Sequence, residues 1–532
     1  MRSADGGPEL AAFQLVHLKS TILSDADLVF LAEGMPLDAE DAKSLRYALG
    51  GVASIVVESN YIDKDYRNVY SGFYSKKFAR LQSRAVRWHL FDVRVPYEVL
   101  FESHSATALA DWLGDNLPVE GRGHAEGSTP GYLGYIVLRP TEYSRIGRCL
   151  LDPRRSRWRH LRGAEGLLAP FRASLMGQRL RVMSFPTQSQ DAEVHLCAET
   201  AIWSLFRYLS QRYPWYSERY PLDVSKLNQD LERGRPTPGK GLTMSQMTAM
   251  IGQLGIGVEP YDLEAMQGLL DEQTSETDGW ASLRPPRVKA RQRELVHLIA
   301  TSIESGIPAI VGVPGHALVA VGTRYRREVP TVVRPGGMRR STDYLDGVVV
   351  NDDNFPPFQL SLWKGAQSGY DRTCATFDCL VMPLPDKVLL RPESVELITT
   401  GLLNSFDAPR GSEKFVRRLY CTSSKNYKED RRRFSDLFTD QLLKLPLPHF
   451  VWITEVSAEV DWVSGGRVLV EVALDATAGP WDVDSFLWVR YPRTLLINAS
   501  RIFDVGPGRR QTKIKSRQDL HVEPFRGNLT GL

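Results

Sequence analysis

Apolar positions along this chain recur in two periods, and the switches between them lay out its elements. Short β-branched and aromatic runs bounded by glycine or proline predict strands within Gly51–Glu58, at Trp88–Val95, and at Tyr132–Leu138, which stops short of Pro140. Helical spacing takes over after Gln190: Ala198, Ala201, Ile202, Leu205 and Leu209 form one stripe of a helix whose N-terminal end is Cys197. Further helices are expected over Val224–Arg233, Thr243–Leu254 (stopped by Gly255) and Glu294–Glu304 (stopped by Gly306). Strands follow at Pro308–Val313, His316–Gly322, in the Val348-Val349-Val350 run, and at Phe377–Pro383.

Beyond these, Pro392 opens a helix carrying Val395, Ile398, Leu402 and Leu403, and strands are expected at Phe415–Cys421, His449–Val456 and Arg467–Leu474. The last two are predicted to pair as a hairpin turning near Gly465-Gly466, followed by a loose basic tail after Arg501. Glycine-rich 120–130 and proline-containing 271–292 read as surface loops, and no internal repeat or heptad run is present.

A length of 532 residues accommodates about three domains. The expected division is an N-terminal α/β region (1–175), a central domain (176–384) and a C-terminal α+β region (385–532), α+β as a whole. Composition changes this little, since 42% hydrophobic and 24% charged residues exclude a disordered or collagen-like chain. The net charge of +3 gives no overall field for nucleic acid or an anionic membrane.

Local basic clusters are therefore judged one by one. Tyr66, Tyr70 and Tyr74, with Arg67, Lys76, Lys77 and Arg80 around them, have the make-up of a single-strand-stacking face, but the neutral balance favours an aromatic stripe packed on a sheet. Arg154, Arg155, Arg157, Arg159 and Arg162 around Trp158 read as a solvated face. The excursion from Tyr325 to Gly347 reads as an extended hairpin whose tip hangs beside the candidate site.

The most apolar run, Ile307–Gly322, is broken by Pro308, Pro314 and His316, so no membrane segment is expected; the N-terminus lacks the pattern of a secretory signal. Five scattered cysteines disfavour a disulfide framework, and a cytoplasmic setting follows as the expectation. Cys374 and Cys379 lack a second pair and a nearby histidine, so no zinc site and no cofactor are expected.

Three residues carry the chemistry. A thiolate is the reactive form of cysteine, and both a helix N-terminus and a nearby imidazolium favour it. Cys197 offers the first and His316 the second, while Asp352 closes the strand expected to pair with the His316 strand and can fix the imidazole tautomer. Asp353 and Asn351 are alternatives for that orienting role. An oxyanion needs donors, which the side chain of Gln190, or Gln188 in its place, and the backbone N–H of Cys197 can supply.

The order of a glutamine, a cysteine opening a helix of small residues, Gly315-His316-Ala317 on a strand and Asn351-Asp352 ending a strand resembles the papain-like cysteine peptidases, and among them the bacterial double-glycine, bacteriocin-processing type. The resemblance covers roughly residues 180 to 385. It implies Cys197 as nucleophile, His316 as base, Asp352 as orienter and Gln190 in the oxyanion hole, acting on a peptide or protein substrate through a thioester. Two departures stand out: Ala198 where many relatives have glycine, and Glu199, a negative charge near the sulfur. The alternatives on the same residues are a non-cleaving papain-like binding or assembly module and a transglutaminase-like acyl transferase.

Overall fold

A computed structural model of the chain describes residues 12–18, 23–78, 80–116, 127–154, 158–228, 241–263, 287–328, 330, 338–363, 367, 369–405, 414–480, 482, 484–503 and 511–532. Among the described residues, sheets of five, eight and seven strands, a two-stranded hairpin and the helices packed on them make an α+β protein, antiparallel except where Met338–Arg340 pairs parallel with Phe415–Arg417. Among the described residues no helix is long and apolar enough to cross a membrane.

The first sheet is a meander of Phe13–His17, Ser54–Tyr61, Ala85–Phe91, Tyr132–Leu138 and Ile146–Leu151, in that order. Every pairing in it is antiparallel, so the N-terminal region is α+β rather than the α/β arrangement expected. The tyrosine stripe faces inward from the Lys64–Gly72 helix and the turn after it: Tyr66 and Tyr74 are buried, and Tyr66 Oη donates to the carbonyl of Gln82 at 2.6 Å.

The central sheet runs Gln359–Leu362, Leu345–Asn351, His316–Tyr325, Ala309–Val313, Cys379–Leu384, Gly257–Asp262. Its strand pairings join the two halves of the candidate site, with Val313 opposite His316 across a tight turn at Gly315 (φ +72°) and Val319 opposite Asn351. The Arg287–Glu304 helix begins seven residues before its predicted start, inside the stretch read as loop; residues 264–286 lie outside the described residues. Pro221–Leu227 replaces the longer helix expected from Val224, whose remainder from 229 also lies outside them.

The expected boundary at 175/176 falls in the turn of a hairpin, Ala169–Leu175 with Gln178–Ser184, and cannot separate domains. The strand Ala164–Gly166 joins the central sheet on Gly322–Arg324, so the N-terminal region and the central sheet share one apolar core. The central sheet's Cys379–Leu384 strand ends at the second expected boundary, and the apolar core continues across it through Leu390, Val395 and Trp452.

The third sheet holds Met338–Arg340, Phe415–Ser423, Phe450–Ala458, Val470–Asp475, Phe486–Tyr491, Thr494–Asn498 and Gln511–Lys515. Its first strand comes from the arginine-rich excursion. That excursion leaves the His316 strand at Tyr325, nine residues and about 30 Å from His316 at strand rise. Its described part therefore reaches the C-terminal sheet, not the site, and 331–337 lie outside the described residues. The predicted hairpin of the third sheet pairs as expected, Val456 opposite Val470, with a short helix Glu459–Ser464 before Gly465.

The tail is tied down, contrary to expectation. Gln511–Lys515 is an edge strand, and Thr530–Gly531 returns to pair with Ala164–Gly166. Buried charges are paired as burial demands: Arg418 Nε meets Glu304 Oε2 at 2.8 Å and ties the Arg287–Glu304 helix to this sheet, and Arg431 Nη2 of the Ser424–Arg431 helix meets Glu471 Oε2 at 2.6 Å.

Candidate functional site

The helix Cys197–Arg212 is the axis of the molecule. Residues 198 to 209 are all buried, not the single stripe that its sequence predicts. The N-terminal region covers the face that would otherwise be solvated, and the polar residues there are paired: Arg207 contacts Asp65 and Glu218. Cys197 remains half-buried at the first turn.

Glu199 has a local explanation. Its Oε2 accepts the backbone N–H of Leu196 at 2.9 Å, satisfying one of the free donors at the helix start. The negative charge that reads as a liability for the thiol is thus engaged in ending the helix.

The approach to Cys197 is built as carefully. Asp191 Oδ1 accepts the backbone N–H groups of Glu193, Val194 and His195 at 2.7 to 3.1 Å, while its Oδ2 accepts from Tyr74 Oη at 3.0 Å. Residues 187–189 add to the edge of the first sheet, with Cys149 and Thr187 exchanging both backbone bonds and Ser189 N donating to Ile146 O. Arg139 ties off the same strand end, its Nη2 donating to the carbonyls of Ser144, Ile146 and Ser189.

His316 Nε2 lies 2.9 Å from Asp352 Oδ1 in a hydrogen bond and 3.1 Å from Asp353 Oδ1. Nε2 is thus the nitrogen turned to the carboxylates, and Cys197 is a third group that favours the imidazolium. Burial alone would disfavour the imidazolium, but Asp352, then Asp353, then Cys197 outweigh it and push the His316 pKa up from 6.5 to about 11. Burial pushes Asp353 up, against the pull of His316.

Asp352 is fixed from behind by Arg372 Nε at 2.9 Å and by the backbone N–H of Asn354 at 3.1 Å, with Tyr370 Oη at 3.5 Å. Asn351 faces away, accepting from Phe358 N at 2.7 Å. Of the three candidates for orienting His316, Asp352 makes the hydrogen bond.

The two glutamines part company. Gln190 Nε2 donates to Asn354 Oδ1 at 3.0 Å and is thereby engaged. Gln188 is buried, its Nε2 has no hydrogen-bond partner among the described residues, and it lines with Cys197 and Thr200 a small cavity of about 40 Å³. Ser44, Leu45 and Ala48 of the Ala39–Ala48 helix and Pro356 close that cavity from the other side.

The remaining groups set this cysteine and histidine apart. Burial raises the thiols of Cys149, Cys374 and, with help from Asp378, Cys379 to about 12, and raises Cys421 also. His195, two residues from Cys197, is pulled down to about 4 by burial, which outweighs Asp191. It is a neutral packing group facing Asp191 and Arg139.

Two described clusters have metal-ligand spacing, His316-Asp352-Asp353 and Glu294-His297-Glu396. Each already contains a guanidinium, Arg372 on Asp352 in the first and Arg340 and Arg417 on Glu396 in the second, so both are ion-pair networks. The basic run expected at 154–162 is partly internal, with Arg154 Nε 2.9 Å from Asp152 Oδ1; 155–157 lie outside the described residues.

No family model matches this chain, and no curated protein or solved structure matches it either.

Proposed function

We propose that this protein is a papain-like thiol hydrolase that cleaves a peptide or isopeptide bond through a Cys197 thioester. The observation that carries the reading is the placement of His316 between Cys197 and the Asp352-Asp353 carboxylates, at the mouth of a helix N-terminus. No single residue supports it as strongly as this relation, because a buried cysteine or histidine alone is ordinary core.

In this reading His316 already holds the proton at rest, and the Cys197 sulfur attacks the substrate carbonyl as a thiolate. The tetrahedral oxyanion is received by the Cys197 backbone N–H and by Gln188 Nε2, the donor that has no other partner. His316 gives its proton to the departing amine, leaving a thioester on Cys197. Having given up its proton, the neutral His316 can take one from the water that hydrolyses the thioester. Asp352, braced by Arg372, keeps the ring aimed throughout.

The test is product analysis. A proteome-derived peptide mixture incubated with the wild type acquires new carboxyl termini that are absent with Cys197→Ala. Amine-linked products in place of free acids replace hydrolysis by acyl transfer, and identical profiles for the two proteins overturn the reading.

A further inference from the structure

A second concavity lies beside the C-terminal half of the Cys197–Arg212 helix, at Arg207 and Gln211, between the first sheet and the Ala169–Ser184 hairpin, and holds about 800 Å³. That is within the size of small-molecule sites and far larger than the cavity beside Cys197. Its walls carry six cations, Lys64, Arg87, Arg148, Arg172, Arg181 and Arg207, against one lining acid, Glu218.

Four of these cations are already matched by four carboxylates. Arg87 Nε meets Glu58 Oε2 at 2.6 Å, and Arg148 meets Asp63 at 2.6 Å and Asp65 at 3.0 Å. Arg207 shares Asp65 and Glu218, and Lys64 also contacts Glu218. Arg172 and Arg181 are left over: both are exposed, and neither makes an ion pair with any described residue.

Their placement is costly. The hairpin register sets Arg172 directly opposite Arg181, so the two side chains leave one face as a cross-strand pair of like charge. A pair of adjacent guanidinium forks at the rim of a concave, cation-lined site matches the oxygens of linked phosphates, each fork taking two acceptors. A single carboxylate neutralises only one of them.

We propose that this cavity binds a small molecule carrying a di- or triphosphate group, held at the mouth by Arg172 and Arg181. The site is independent of the thiol chemistry, since no lining residue belongs to the Cys197 site. It does touch the same helix, through Arg207.

Calorimetric titration of the full chain with inorganic tripolyphosphate, ATP and adenosine tests this. Tripolyphosphate and ATP bind and adenosine does not; tighter binding of ATP than of tripolyphosphate identifies a nucleotide site, and equal affinity a bare polyphosphate site. Arg172→Gln and Arg181→Gln each weaken binding at least tenfold, while Cys197→Ala leaves it unchanged. Without ligand both arginine variants melt at or above the wild-type temperature, because a repulsion has been removed. No binding of either phosphate at millimolar concentration overturns the proposal. So does equal binding by the arginine variants, or binding of citrate as tight as that of tripolyphosphate.

Discussion

Arg139 Nη2 donates a hydrogen bond to the carbonyl of Ser189 at 2.9 Å, so a residue of the first sheet fixes the strand that carries Gln188 to the thiol. The same nitrogen holds Ser144 and Ile146. Arg139→Met leaves these buried carbonyls without their shared donor. It is expected to cost about 3 kcal/mol of stability. Chemical denaturation checks the loss, and an unchanged midpoint would show that the strand end holds itself.

Glu199 is expected to stabilise the protein rather than to hinder it. Glu199→Ala removes the acceptor of Leu196 N and is predicted to lower stability by about 1 kcal/mol, whereas Glu199→Gln retains an acceptor and loses less. Comparing the denaturation midpoints of the two variants with the wild type decides it. If Glu199→Ala is as stable as the parent, the carboxylate has another purpose.

The glutamines should separate in kinetics. With an activated p-nitrophenyl ester as reporter substrate, Gln188→Ala is predicted to lower kcat by about 10²- to 10³-fold, the usual loss for one oxyanion donor. Gln190→Ala is predicted to lose less than about tenfold, since its amide is taken by Asn354. Removing an unpaired buried donor should leave the melting temperature of Gln188→Ala unchanged or higher. The reverse order of kcat would return the role to Gln190.

His316 supplies a prediction in pH. Its folded value is raised from 6.5 to about 11, so its charge stabilises the fold fully below about pH 6.5, and that contribution is lost as pH rises toward 11. Imidazole NMR should find His316 protonated through pH 8 and titrating near the upper value. Asp352→Asn, which removes the largest favourable partner, should bring the midpoint down. A wild-type midpoint near 6.5 would mean the carboxylates do not act on the ring.

The central strands were readable because β-branched runs and their glycine stops are local signals, and the pairing of the His316 strand with the Asn351 strand followed from their adjacency. The helix expected over Thr243–Leu254 was legible in the same way and spans Met244–Gln253. Sheet membership was not. Nothing local in Ala164–Gly166 or Thr530–Gly531 says that both complete the central sheet, and the all-round burial of the Cys197 helix depends on a first sheet assembled from distant residues.

At the candidate site, Cys197, His316 and Asp352 stood out by residue type and order. Their supports did not: Arg372 lies in a stretch without periodicity, and Tyr74 and Asp191 meet across more than a hundred residues. The choice between Gln188 and Gln190 turned on which amide already had a partner, which spacing does not encode.

The proposed function requires that His316 activate Cys197. Intact-mass kinetics of iodoacetamide alkylation at pH 7, with the modified cysteine located by peptide mapping, measures this directly. The wild type should be modified at Cys197 first, and His316→Ala should slow that reaction at least about tenfold, reflecting the loss of the imidazolium partner. Equal rates in the two proteins, or first modification at another cysteine, would contradict the account.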